Sequence, residues 1–168
     1  KLIWQSSLQG TFNCVDLHPR GNQVVTVEAK VGEDGAEIAA VQLWDIATGR
    51  LLRNTELLAT PSAINFTQSG KEIVLNTVQR VAPSSPITAG GISNESDWSA
   101  TFRILDSESL KLLRTFSIGD GLSMLDSRRA SIFTYGVGEV SFHNLETGET
   151  EVQMRGIIAP PMTARTPD

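Results

Sequence analysis

Groups that do chemistry are scarce in this chain: its 168 residues include one cysteine, two histidines and one tyrosine. The lone Cys14 cannot form an internal disulfide, and its place in an apolar run reads as a small buried residue. The redox compartment therefore stays open, with the cytoplasm favoured. His18 and His143 share no metal-ligand spacing with Cys14 or with each other, so no metal site is expected. There is no Gly-x-Ser-x-Gly elbow, phosphate loop or zinc-protease helix, which leaves no catalytic residue and no cofactor to assign. Basic residues do not cluster beyond the pair Arg128-Arg129. With a net charge of −5 and a pI near 5.0, the chain lacks the cationic surface that nucleic-acid phosphates require. No apolar run approaches the roughly 20 residues that span a bilayer.

What the chain does have is a repeat. Val41-Gln42-Leu43-Trp44-Asp45, Phe102-Arg103-Ile104-Leu105-Asp106 and Val140-Ser141-Phe142-His143-Asn144 can be laid on one another. Each is followed by a polar corner, at residues 46–50, 107–111 and 145–149, and then by a second short run, which is the pattern of a β-hairpin. Upstream of each lies another strand-like pair joined by a turn, with Gly21, Gly70 and Arg129 at matched turn positions. The unit is four strands, a-b-c-d. In the first unit b covers residues 23–28, c 38–45 and d 51–57; in the second b covers 72–77 and c 99–105. An apolar content of 40% suffices for a core, and Leu43, Trp44, Phe66, Leu125 and Phe142 are expected in it. Trp44, at a strand end, reads as core rather than as a binding aromatic. Asp45, Asp106, Asp120 and Glu146 fall at corners, where bonding the turn backbone is the default role of a carboxylate.

Four-stranded units of roughly 40 to 50 residues, with Trp-Asp closing the third strand, are the sequence sign of a β-propeller blade. Trp44-Asp45 and the turn His18-Pro19-Arg20-Gly21 resemble those of the WD-repeat family, and the resemblance covers nearly the whole chain. Leu105-Asp106 and His143-Asn144 stand at the equivalent positions. Gly10-Thr11, Thr60-Pro61 and Gly119-Asp120 lie near the place of the family's usual Gly-His pair. The resemblance implies an all-β fold: a β-propeller fragment with three complete four-stranded antiparallel blades plus partial blades at both ends. Residues 1–10 would be the outer strand of a preceding blade, 11–58 blade one, 59–118 blade two with a long b-c loop over 80–97, 119–156 blade three, and 157–168 the first strand of a following blade. Closed propellers have about four to eight blades, so these would form an open arc. Each open end leaves a sheet face of roughly 300 Å². Leaving both uncovered forfeits on the order of 10 kcal/mol, which argues for remaining blades of a parent chain as a partner.

The same resemblance places the b-c and d-a connections on one face of the arc and the a-b and c-d turns on the other. Both long b-c connections, residues 30–37 and 80–97, would then decorate a single face, and loops on a rigid scaffold are where recognition usually resides. The candidate partner-binding residues are Arg80, Pro83, Ser84, Ser85, Asn94, Glu95 and Asp97. Two short modification patterns, glycosylation at Asn65 or Asn94 and phosphorylation in Ser84-Ser85-Pro86, carry no assignment. The function expected is a non-enzymatic scaffold binding protein partners, with no nucleic acid and no membrane span. The alternative is a propeller domain of a multidomain enzyme or sensor whose catalytic part lies outside this chain.

Overall fold

Runs such as Gln23-Val24-Val25-Thr26-Val27 and Glu72-Ile73-Val74-Leu75 are rich in β-branched and aliphatic residues that fit a pleated surface, and turn formers break them at regular places. The computed structural model describes residues 11–32, 35–58, 60–80, 98–118, 122–126, 131–136 and 139–156. These form twelve strands and, among the described residues, no helix. The first sheet holds β1 (Thr11–Leu17), β2 (Gln23–Val31), β3 (Glu37–Asp45) and β4 (Leu51–Leu58). The second holds β5 (Ala63–Phe66), β6 (Glu72–Arg80), β7 (Trp98–Asp106) and β8 (Leu112–Ile118). The third holds β9 (Leu122–Asp126), β10 (Ser131–Gly136), β11 (Glu139–Asn144) and β12 (Thr150–Arg155). Every sheet is antiparallel with its strands in chain order, which is the architecture of three propeller blades. The partial blades expected at residues 1–10 and 157–168 lie outside the described residues.

Strand alternation sends neighbouring side chains to opposite faces, and two separate cores result. Val25, Val27, Ala39, Val41 and Leu43 of the first sheet meet Ile64, Phe66, Ile73, Leu75 and Leu105 of the second. On the other face of the second sheet, Val74, Ala100, Phe102 and Ile104 meet Ile132 and Leu145 of the third, with Phe116 and Leu125 packed alongside. The middle sheet is therefore apolar on both sides, and Phe102, Ile73, Leu75, Ile104 and Leu105 are fully buried. Full burial of such a side chain contributes about 1.5 to 3 kcal/mol.

Two expectations need correction. Leu43 and Phe66 are buried, but Trp44, Leu125 and Phe142 are only half-buried. Trp44 and Phe142 project from the two outward faces of the arc, on the sides away from the central sheet, and Leu125 lies at the margin of the second core. The strands also run further than side-chain alternation suggests. The β2–β3 ladder continues to Val31↔Glu37 and the β6–β7 ladder to Arg80↔Trp98. Backbone pairing needs no apolar side chain, so it persists where the pattern fades. Of the first b-c connection, Lys30 and Val31 belong to β2 and Glu37 to β3, and in the second Arg80 belongs to β6.

The c-d corners repeat to the level of single bonds. The N–H groups of Asp45, Asp106 and Asn144 donate to the carbonyls of Arg50, Lys111 and Glu149 at 3.0, 2.9 and 2.9 Å. Each hairpin then bulges at the matched step, after Leu43, Ile104 and Phe142. The geometry requires a left-handed residue, supplied by Gly49 (φ 68°) and Gly148 (φ 75°) in two blades but by Leu110 (φ 57°) in the other. A left-handed non-glycine costs roughly 1 to 2 kcal/mol. Leu110 offsets this by burying its side chain in the first core. Ala at this position would keep the strain and lose the packing, whereas Gly would lose the packing and relieve the strain. We expect Leu110→Ala to destabilise by about 2 to 4 kcal/mol and Leu110→Gly by less. Urea unfolding that ranks Gly as the worse substitution would show that backbone strain is not what Leu110 bears.

Candidate functional site

The two ends of the blades differ in how they are held. At the a-b and c-d end, carboxylate and amide oxygens fasten each corner. Asp45 Oδ1 accepts from the Thr48 N–H (2.8 Å) and hydroxyl (2.6 Å), and Asp106 Oδ1 accepts from the same groups of Ser109 at 2.8 and 2.6 Å. These bonds, the hydroxyl one foremost, hold both carboxyls below the usual Asp value. In the third corner Asn144 Oδ1 takes this role, accepting from the N–H groups of Glu146 (2.7 Å) and Thr147 (3.1 Å), so the exposed Glu146 contributes its backbone rather than its carboxylate. Asp120 lies outside the described residues. The a-b turns are tied to this end as well, since the Ile46 and Ser107 N–H groups donate to the Asn22 and Lys71 carbonyls at 3.0 Å.

Cross-links between sheets also gather here. His18 is buried and meets Phe66 edge-on, with ring centroids 5.0 Å apart. Its Nδ1 accepts from the Arg20 N–H at 3.1 Å, which places the ring proton on Nε2, where it donates to the Gly70 carbonyl at 3.2 Å. A Cβ on Gly70 would stand 2.3 Å from that nitrogen, so both φ and space demand glycine. Asp16 Oδ2 accepts from the Phe66 N–H at 2.7 Å, joining β1 to β5. Arg114 donates two parallel hydrogen bonds to the Glu72 carboxylate (2.9 and 3.1 Å) and one from Nε to the Leu145 carbonyl at 3.3 Å, joining the second sheet to the third blade. The roles of Asp16, Arg114 and Glu72 escape a reading by repeat: Asn65 and Met124 stand where Asp16 does, Gln23 and Ser131 where Glu72 does, and Arg53, which matches Arg114, donates instead to the Leu52 carbonyl.

At the opposite, b-c end the side-chain bonds differ from blade to blade: in the third Glu139 accepts from the Ser141 hydroxyl (3.1 Å) and from the Gln153 amide and pairs with Arg155 (3.4 Å), and in the first Lys30 pairs with Glu28 (3.8 Å). In the first blade Gly32 N–H donates to the Ala36 carbonyl (2.8 Å) and Gly35 N–H to the Gly32 carbonyl (3.0 Å). In the second blade, Arg80 and Trp98 face one another across the ladder, so the connection between them leaves and returns at one point. Of the candidate binding residues, Arg80 is the last residue of β6. Pro83, Ser84, Ser85, Asn94, Glu95 and Asp97 lie outside the described residues. In the third blade Gly136 pairs with Glu139, and the b-c turn is short. Val31 and Leu58, at this same end of the first blade, are the most exposed large apolar side chains described.

The groups with potential chemistry are each occupied structurally. His143 is buried in the third sheet, its Nε2 3.0 Å from the Thr134 hydroxyl and its Nδ1 3.2 Å from that of Thr150. Burial pushes its pKa below the ordinary value of 6.5. Cys14 packs against the first core, and burial pushes its thiol up to about 11. Among the described residues no three His, Cys, Asp or Glu side chains gather as a metal cluster, and no helix is long and apolar enough to cross a membrane.

No family model matches this sequence, and no curated protein matches it. Solved structures do match its fold. The WD40 repeats of RRP9 superpose with a TM-score of 0.58 at 12% identity, over 90% of this chain and 40% of that one. An acylaminoacyl peptidase in complex with a chloromethyl ketone superposes at 0.56, 14% identity, over 83% of this chain and 24% of that one. The Swd1 β-propeller domain of Myceliophteria thermophila gives 0.53 at 12%, over 87% and 44%. The chain thus has the fold of WD40-type propeller blades and spans about two fifths of the RRP9 WD40-repeat chain and about a quarter of the peptidase chain.

Because His143 is held neutral in the folded chain and titrates higher when unfolded, its contribution to stability is full above pH 6.5 and is lost as pH falls through the lower folded value. His143→Gln should flatten the dependence of the urea midpoint on pH between about 7 and 5; a dependence unchanged by the substitution would assign it to other groups. The raised thiol of Cys14 predicts slow alkylation at pH 8 in the folded protein and fast alkylation in denaturant. Equal rates in both states would contradict its burial.

Proposed function

We propose that this protein is a non-enzymatic interaction scaffold built on a propeller larger than the three blades described, and that it binds protein partners through its b-c end. The observation that carries this is the asymmetry between the two ends. One end is fixed by repeated carboxylate and amide bonds in every blade, while the other carries connections of unequal length, the longest spanning residues 81–97 between the paired Arg80 and Trp98. A rigid base with variable loops on one side is the usual arrangement for recognition. The fold likeness to the WD40 repeats of RRP9 is in keeping with this reading. Pro83, Ser84, Ser85, Asn94, Glu95 and Asp97 are the residues we assign to the contact, with Val31 and Leu58 extending it across the same end of the first blade.

A second reading is favoured by one observation, the likeness to an acylaminoacyl peptidase of which this chain covers 24%. Under it the blades form the propeller domain of an enzyme whose catalytic groups lie in another part of the protein.

The test is to replace residues 81–97 with the two-residue turn Val-Gly that joins Gly136 to Glu139. Proteins cross-linked to the tagged wild type and to the shortened variant are then compared by quantitative mass spectrometry. The scaffold reading predicts loss of the bound partner by at least about tenfold with a melting temperature nearly unchanged, since the ends of the segment are already paired. Equal recovery of the same partner by both proteins would remove the loop from the binding surface.

A further inference from the structure

From the inner strands outward, the contact between the first and second blades loses its seal. Val25, Val27, Val41, Ile73 and Leu75 are fully buried there. Their partners on the strands further out are not: Thr55, opposite Val41, and Arg103, opposite Leu75, are half-buried, and Thr115, opposite Arg103, is exposed. Directly paired residues share a sheet face. Arg53 and Thr55 therefore look from the first blade toward the second, as their partners Leu43 and Val41 do, and Arg103 and Thr115 look back from the second, as Leu75 does. The two blades leave a wedge at their circumference with an arginine on each wall.

These two arginines differ from the others in what they meet. In the corresponding space between the second and third blades, Arg114 is held by both oxygens of Glu72 at 2.9 and 3.1 Å, and Arg155 lies 3.4 Å from Glu139. In the first wedge Arg103 Nη1 donates to the Thr77 hydroxyl at 3.2 Å and Arg53 Nη1 to the Leu52 carbonyl at 2.7 Å, and among the described residues neither meets a carboxylate. The described carboxylates on the two walls stand elsewhere: Asp16, on the innermost strand, accepts from the Phe66 N–H, and Glu37 lies at the b-c tip opposite Val31. A guanidinium carries five N–H donors, and the bonds named use one on each. Hydroxyls surround Arg103 on its own wall: Thr77, Thr115, and the pair Thr101 and Ser117, whose oxygens are 3.1 Å apart. A chain of net charge −5 thus places two cations without a described counter-ion in one half-enclosed gap.

We propose that this wedge binds the carboxylates of an acidic segment of a protein partner, with Arg53 and Arg103 receiving them. The planar fork of a guanidinium matches a carboxylate with two parallel bonds, and partial enclosure strengthens such a pair relative to one in open water. Rotatable hydroxyls beside Arg103 supply further donors to the same oxygens. Complementary charge across the contact also selects an acidic partner over a basic one. The existence of a protein partner rests on the scaffold reading, but the site uses none of residues 81–97. Both walls belong to described blades, so the site is independent of what covers the outward faces of the arc.

The test is fluorescence anisotropy of a labelled hexaglutamate peptide titrated with the 168-residue chain at low ionic strength, where binding should saturate. Arg103→Gln and Arg53→Gln should each weaken it by about tenfold, whereas Arg50→Gln, which removes an exposed arginine from a c-d corner, should leave it unchanged. Arg103→Lys keeps the charge without the fork and should fall between wild type and Arg103→Gln. If Arg103→Gln loses its strand signal in circular dichroism, Arg103→Lys and the exposed Arg53→Gln carry the same comparison. The variant shortened over residues 81–97 should bind the peptide as the wild type does, so the loop can fail as a contact without the wedge failing. Absence of saturable binding, an equal loss in Arg50→Gln, or displacement of the peptide by less inorganic phosphate than acetate at matched ionic strength would each overturn the assignment. A partner still captured by the wild type would in that event leave the scaffold reading standing.

Discussion

The middle sheet is apolar on both faces, and the rest of the structure follows from the need to cover it. Ile73, Leu75 and Leu105 point one way while Val74, Phe102 and Ile104 point the other, so no arrangement of this sheet alone removes its side chains from water. A sheet on each side satisfies the middle one but gives each neighbour a new outer face. The covering problem therefore passes outward to β1–β4 and β9–β12. It explains why Val15, Leu17, Val152 and Met154 stay exposed in a chain whose interior is otherwise well filled.

Polar contacts then fix the angle at which the sheets meet. Apolar packing resists sliding weakly, whereas hydrogen bonds are directional. The bonds between sheets run from Asp16 to the Phe66 N–H, from His18 to the Gly70 carbonyl, and from Arg114 to Glu72 within its own sheet and to the Leu145 carbonyl of the next. Asn76 adds one from Nδ2 to the Ser123 hydroxyl at 3.0 Å. A closely fitted glycine accompanies two of these junctions: Gly70 lies against the His18 ring, and a Cβ on Gly148 would come within 3.0 Å of the Phe116 ring. Three of these junctions lie at the a-b and c-d end, and at the other end the Asn13 amide adds a bond to the Pro61 carbonyl.

Most of the architecture could be read from the sequence because its causes are local. Strand pairs, turn positions and corners depend on alternation, on glycine at positive φ and on short polar side chains, all of which leave marks within a few residues. The corner role of Asp45 and Asp106 was legible for that reason. Leu110 was not, since its tolerance of a left-handed backbone comes from burial in the core between the first and second sheets. Neither was the half-exposure of Trp44 and Phe142, which depends on which sheet stands at the end of the arc rather than on their own surroundings. The candidate binding residues were found by composition alone: Pro83, Pro86, Gly90 and Gly91 discourage a continuing strand, but only the pairing of Arg80 with Trp98 shows that the segment starts and ends on a closed stem.

That closed stem bears on how the molecule could change over evolutionary time. Where two strand ends are already held together, lengthening the chain between them adds only the entropy of a longer loop, about 0.6 kcal/mol for each doubling. The corners at the other end have no such slack, because the spacing from Asp45 to Thr48 and from Asp106 to Ser109 is set by bonds of 2.6 to 2.8 Å. Insertions and deletions are thus nearly neutral at one end of each blade and disruptive at the other. Descendants of this sequence are free to acquire new surface at the tip of the second blade while inheriting its base unaltered.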